Sequence, residues 1–257
     1  MQTLGYDEYS RLMPILNMNS LILSLVVQGG DLGSLISRFM AQNYGPAHCK
    51  GHHINSAVPV EPTAKSHPEL YEKVQATPLS EAEIIGLNRT QQFSTEGNGY
   101  FKEQSTKPQT IGYSLADSPV GLLAWIYEKL HDWSDNYAWT DDEILIWVSI
   151  YWFSTAGPAA TSNIYFEMEH SDPGAFAAAQ AYSNVPLGIA RFSKDLILLP
   201  KLWNQTFGPV VFESEYEQGG HFAAYERPDA IINDLRVMFG KNGGAYGSVT
   251  GKSGYED

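Results

Sequence analysis

Cysteine is nearly absent: Cys49 is the only one among 257 residues. A single thiol excludes an internal disulfide and fits a reducing compartment, so a cytoplasmic location is expected. Basic residues are also scarce. Sixteen Lys and Arg face 29 Asp and Glu, a formal net charge of −13. That field repels nucleic acid and anionic membrane surfaces, and it disfavours a negatively charged substrate. Long apolar runs are missing as well. The nearest, Met13 to Val27, is too short to span a bilayer and is interrupted by Asn17, Asn19 and Ser20. It lacks both the basic start and the small-residue cleavage site of a signal peptide. No repeat is visible and no metal-ligand spacing occurs. The pair His52-His53 has no ligand-spaced partner, so a strand start with one satisfied histidine is expected. Asn88-Arg-Thr90 and Asn204-Gln-Thr206 match the glycosylation pattern by chance.

The chain does have a 43% hydrophobic and 12% aromatic composition, enough for a sizeable core. The stretch it turns on is Leu25 to Met40, LVVQGGDLGSLISRFM. A β-branched apolar run ends in Gly29-Gly30, then Asp31, then Leu32-Gly33, and a helical pattern follows. This is a nucleophile-elbow pattern with aspartate in place of serine. Such a turn forces its central residue into a strained conformation, and side chains on the flanking positions would collide. It would set the Asp31 carboxylate over a helix N-terminus, where free N–H groups favour an anion. The bland alternative is an aspartate in an ordinary Gly-rich turn.

Leu32 to Asn43 has helical periodicity, with Leu35, Ile36, Phe39 and Met40 on one face. His52 to Val58 reads as the next strand. Met1 to Ser10 reads as a helix end and a glycine turn. From about Glu61 proline-rich loops lead into Glu81 to Ser94, then a helical tract from Thr110 to about Trp133. Trp125 and Trp133 should share its face. Thr140 and Glu143 form a capping box for a further helix, and Ile144 to Phe153, apolar all round, is expected to be buried. Strand signals return at Val185 to Phe192 and Pro209 to Glu213. A last amphipathic helix starts near Pro228, with Ile231, Ile232, Leu235 and Met238 in register. Gly240 to Asp257 is expected to be disordered. The implied class is α/β: a partial α/β-hydrolase sheet with a helical lid insertion. Residues 1–60 and 185–240 would be core, 61–184 the lid and 241–257 a tail.

In that fold the triad runs nucleophile, acid, histidine. His221 follows Gly219-Gly220 after the last strand. The acid candidates are Asp195, past VPLGIARF, and Glu213, Glu215 and Glu217. Period-two spacing would place the glutamates on a solvated face. Asp195 sits at a strand end and is preferred. An aspartate nucleophile forms an alkyl ester by attack on an sp³ carbon, which His221, oriented by Asp195, would hydrolyse with water. Epoxides and haloalkanes both suit this scheme.

Several motifs decide between them by resemblance. Asn98-Gly99-Tyr100, the segment Gln104 to Gly112 (QSTKPQTIG) and Asp117 to Leu122 (DSPVGL) resemble the lid of microsomal-type epoxide hydrolases. GGDLGS at Asp31, FSKD at Asp195 and GGHFAAYERP at His221 resemble the same family. The resemblance runs from about Val26 to the final helix. It implies a cofactor-free hydrolase that adds water to a small neutral epoxide, giving a vicinal diol. Tyr100 and Tyr165 would donate to the epoxide oxygen, and Leu32 N–H would serve the oxyanion. Phe166 departs from the family, which usually has a basic residue there. The family's long N-terminal region is not found among these residues, and Ser10 to about Leu25 intervenes before the elbow strand. The expectation is an N-terminally truncated sheet whose elbow strand is an exposed edge, with self-association unless residues 11–25 cover it. A haloalkane dehalogenase-like hydrolase, or an inactive hydrolase kept as a binding module, are the alternatives.

Overall fold

A computed structural model describes residues 24–249 and Gly251. The readings of Met1 to Ser10, of residues 11–23 as a cover and of the last six residues lie outside the described residues. Four parallel strands form one sheet in the order β1-β2-β3-β4: β1 Leu25–Gly29, β2 Cys49–Ile54, β3 Leu187–Lys194 and β4 Val210–Gly220. Among the described residues β1 pairs only with β2, so it is an edge, as the sequence implied. Strand β4 runs seven residues beyond the PVVFE signal. Its Glu213, Glu215 and Glu217 alternate outward and are exposed, which removes them as the acid.

Helix α1 (Leu32–Tyr44) follows the elbow. After β2 the chain is helical: α2 Pro68–Ala76, α3 Glu81–Gln92, α4 Gly99–Thr106, α5 Pro108–Asp117, α6 Pro119–Asp132, α7 Asp141–Trp152, α8 Ile164–His170 and α9 Ala175–Ala179. Then come β3, β4, the short α10 (Ala223–Glu226) and α11 (Pro228–Phe239). His52 and His53, neighbours on β2, point to opposite faces. His52 meets Arg38 of α1, and His53 lies 3.5 Å from Asp234 of α11. The sheet is therefore sandwiched between α1 and α11.

Both histidines are fully buried in mid-strand, which corrects the reading of a strand start with one satisfied histidine. Burial and the Arg38 charge push His52 down to about 3, so it is neutral and its Nε2 can accept from the guanidinium at 3.2 Å. Arg38 also donates to the carbonyls of Ala179, Ala181 and Phe207 and stacks on the Phe207 ring. One arginine thus ties the return of the helical section to the sheet.

Other expectations also need correction. The tract from Thr110 to Trp133 is two helices. Pro119 keeps Ser118 extended, and the Ser118 hydroxyl caps α6 by accepting from Gly121 N–H at 3.0 Å. The Thr140–Glu143 capping box forms as read. Ile144 to Phe153 is not buried all round: Ile144 and Val148 face α6, while Leu145, Ile146, Ile150 and Phe153 are 52%, 59%, 59% and 79% exposed. Helix α7 packs on one side, and among the described residues nothing covers the other. In α11, Ile232 is exposed and Asp234 takes an inward place. Gly240 to Val249 is ordered rather than loose: Ala245 is buried, and its N–H donates to Met238 O.

Candidate active site

The elbow forms as its glycines require. Asp31 has φ 49° and ψ −123°, a strained backbone for a non-glycine residue. A Cβ on Gly29 would sit 2.1 Å from Gly33 O, and one on Gly30 would strike the Asn55 amide at 2.7 Å. Gly33 itself has open space around it, so steric need explains two of the three glycines. The Ser34 hydroxyl donates to Gly29 O at 2.9 Å, locking the strand end to the first turn of α1. Leu32 opens that helix, where first-turn N–H groups have no partner within the helix.

The structure brings Asp31, Asp195 and His221 together. His221 Nδ1 lies 2.8 Å from Asp195 Oδ1, and its Nε2 lies 3.8 Å from Asp31 Oδ1. Asp195 is buried just past β3. Its Oδ1 also accepts from Leu196 N–H at 2.7 Å, and its Oδ2 from the Ser56 hydroxyl at 3.3 Å. An ionised carboxylate only accepts, so Nδ1 carries the imidazole proton and Nε2 is the free base. Burial pulls His221 down, but the hydrogen bond to Asp195 and its charge, with Asp31 and Glu226 adding, carry it above the ordinary histidine value.

Gly219 and Gly220 place the histidine. Gly219 has φ 109°, and a Cβ on Gly220 would meet Trp133 O at 2.5 Å. That approach lets His221 N–H donate to Trp133 O at 2.8 Å. The Glu226 carboxylate accepts from Gly220 N–H and Asp135 N–H, and Asp135 accepts from Gly219 N–H. The end of α6 and the histidine loop are thereby stitched together.

Tyr100 of α4 and Tyr165 of α8 meet edge to face with ring centroids 5.6 Å apart, and both line a cavity of about 240 Å³ with Asp31, Asp195 and His221. Burial and the Asp31 charge push the Tyr100 phenol well up, while a hydrogen bond with Tyr165 works the other way. Phe93, Phe101, Phe176, Leu35, Val58 and Ile197 make the remaining wall largely apolar. Among the described residues no cluster of His, Cys, Asp or Glu could hold a metal, and no helix is long and apolar enough to cross a membrane. Residue-type reasoning missed Ser56, Trp133 and the aromatic wall. Only Ser80-x-x-Glu83, a second capping box at α3, had a local signal.

The strained aspartate between strand and helix, an acid after the next-to-last strand and a histidine after the last define an α/β-hydrolase. Within that class the chain is related to the epoxide hydrolases. No protein-family model matches it. A Stigmatella aurantiaca protein named as a candidate epoxide hydrolase is 38% identical over 220 residues, 83% of this chain and 46% of that protein. Epoxide hydrolase 1 of Sus scrofa is 33% identical over 233 residues, 83% of this chain and 50% of its own length. The solved Aspergillus niger epoxide hydrolase is 34% identical with TM-score 0.74, covering 91% of this chain and 57% of that one. The chain spans about half the length of the curated relatives it matches.

Proposed function

We propose that this chain carries the reacting residues of an epoxide hydrolase that adds water to a small neutral epoxide. The observation that carries the reading is the position of His221. Its two ring nitrogens face two different aspartates, at 2.8 Å and 3.8 Å, beside paired phenols. An Asp31 oxygen attacks an epoxide carbon, the ring C–O bond breaks, and the electron pair passes to the oxygen. Tyr100, with Tyr165, donates to that oxygen and protonates it. Water then attacks the ester carbonyl of Asp31, giving its proton to His221 Nε2, and Asp195 stabilises the imidazolium. Leu32 N–H serves the oxyanion. Collapse of this intermediate expels the second diol oxygen, which takes the proton back from His221 Nε2. The proton left on the Asp31 carboxyl passes to the Tyr100 phenolate, so the diol leaves and all three groups are restored.

Residues 61–184 act as the lid in this reading, and the described part of residues 1–60 together with 185–240 as the core. The largely apolar wall and the acidic net charge suit an uncharged substrate. A reducing cytoplasm fits the lone, buried Cys49. The edge of β1, which pairs only with β2 among the described residues, and the exposed face of α7 favour self-association, which size-exclusion chromatography tests; a stable monomer counts against it. For the activity, brief incubation with styrene oxide should add the substrate's mass to the peptide holding Asp31, and Asp31→Asn should carry none. No adduct on the folded chain would overturn the reading.

A further inference from the structure

We propose that Lys129 is a positioning residue for ring opening: its ammonium, held over the Tyr100 ring, strengthens that phenol as a donor to the epoxide oxygen. The inference rests on the epoxide hydrolase reading and deepens it. Lys129 Nζ lies 4.8 Å from the Tyr100 ring centroid, 5.1 Å from that of Trp125 and 5.6 Å from that of Trp133. Residues 125, 129 and 133 follow each other at four-residue steps, so the end of α6 presents the three to α4 as one face. The lysine side chain is only 11% exposed, unusual for this residue type. Glu128, 55% exposed, pairs with the ammonium.

Burial and the Asp31 carboxylate both disfavour negative charge on the Tyr100 phenol, and only the smaller effect of its hydrogen bond with Tyr165 works the other way. During ring opening the phenol must release a proton toward a developing alkoxide, so negative charge grows on its oxygen. A cation against the ring stabilises that charge. An apolar side chain would fill the same space among three rings without the cost of desolvating an ammonium, so packing alone does not account for a lysine here. A unit charge about 5 Å from a group that gains part of a negative charge, in a half-wet site, is worth about tenfold in rate.

Single-turnover rapid quench with styrene oxide separates ester formation on Asp31 from ester hydrolysis. Lys129→Met should slow ester formation about tenfold and leave hydrolysis, which depends on His221, unchanged. Lys129→Arg should restore the first rate. In a Tyr100→Phe background Lys129→Met should have no further effect. Lys129→Gln serves as a second neutral variant, should the methionine protein fail to fold. Wild-type ester formation with Lys129→Met at the same rate would overturn the role of Lys129 alone. So would equal losses in both steps, or a loss that persists without the Tyr100 hydroxyl. Absence of an ester on wild-type protein would instead remove the epoxide reading and this role with it.

Discussion

Asp195→Asn should separate the two half-reactions and leave the ester stranded on Asp31. In many triads this substitution flips the imidazole tautomer, because the new amide N–H faces Nδ1, and it costs on the order of 10⁴. Here Asp195 Oδ1 accepts from Leu196 N–H at 2.7 Å as well as from His221 at 2.8 Å. An asparagine must keep its oxygen toward Leu196, so it still accepts from Nδ1, and its amide nitrogen can donate to the Ser56 hydroxyl. The tautomer survives and only the charge is lost. Replacing a charged acceptor by a neutral one, with loss of the attraction to the imidazolium, amounts to about 3–4 kcal/mol at an effective dielectric near 20. Ester hydrolysis should therefore slow by about 10²–10³, while ester formation changes little. Without Asp195 burial weighs more on His221, so the pH at which hydrolysis reaches half its maximum should move down. Intact-mass spectrometry during turnover reads the stranded ester, and quench-flow over a pH series reads both rates. A 10⁴-fold loss would show that Leu196 does not hold the carboxamide. Equal slowing of both steps would refute the division of labour itself.

Tyr100→Phe should slow ester formation by about 10²-fold and spare hydrolysis of a preformed ester, measured by the same quench. Gly29→Ala puts a methyl 2.1 Å from Gly33 O, and a urea midpoint should show destabilisation of about 3 kcal/mol or more, if the variant folds at all. Arg38→Met leaves the carbonyls of Ala179, Ala181 and Phe207 and His52 Nε2 without their donor, and the urea midpoint should show a loss of about 3–5 kcal/mol. His221 titrates higher in the fold than in the unfolded chain, so its added stability is complete below about pH 6.5 and is lost as pH rises through the folded value. The urea-midpoint gap between wild type and His221→Gln should accordingly shrink from acid to alkaline pH; a gap that widens would contradict it.

The sheet and elbow were legible because their signals are local. Gly29 is demanded by Gly33 O inside one turn and the Thr140–Glu143 box closes within four residues, whereas Gly30 is demanded by Asn55, 25 residues further on. Asp195 and His221 were legible through chain order, since the fold presents them at strand ends. What stayed hidden depends on distant neighbours. Hydropathy made Ile144 to Phe153 look like core, but burial needs a partner on each face, and α7 meets α6 on one. The partners of His52 and His53, Arg38 and Asp234, lie 14 and 181 residues away in sequence. Trp133, whose carbonyl holds the histidine loop, has no sequence mark that sets it apart from other tryptophans.

That carbonyl has a practical corollary. Because the 133–135 segment seats the loop of the base through the Trp133 carbonyl and the Asp135 carboxylate, the two cannot drift apart independently, and remodelling there would detune the reaction before it reshaped the cavity. Redesign for bulkier molecules belongs on the opposite wall. There Phe101 and Phe176 border the void, and neither sits in the loops that carry Asp195 and His221.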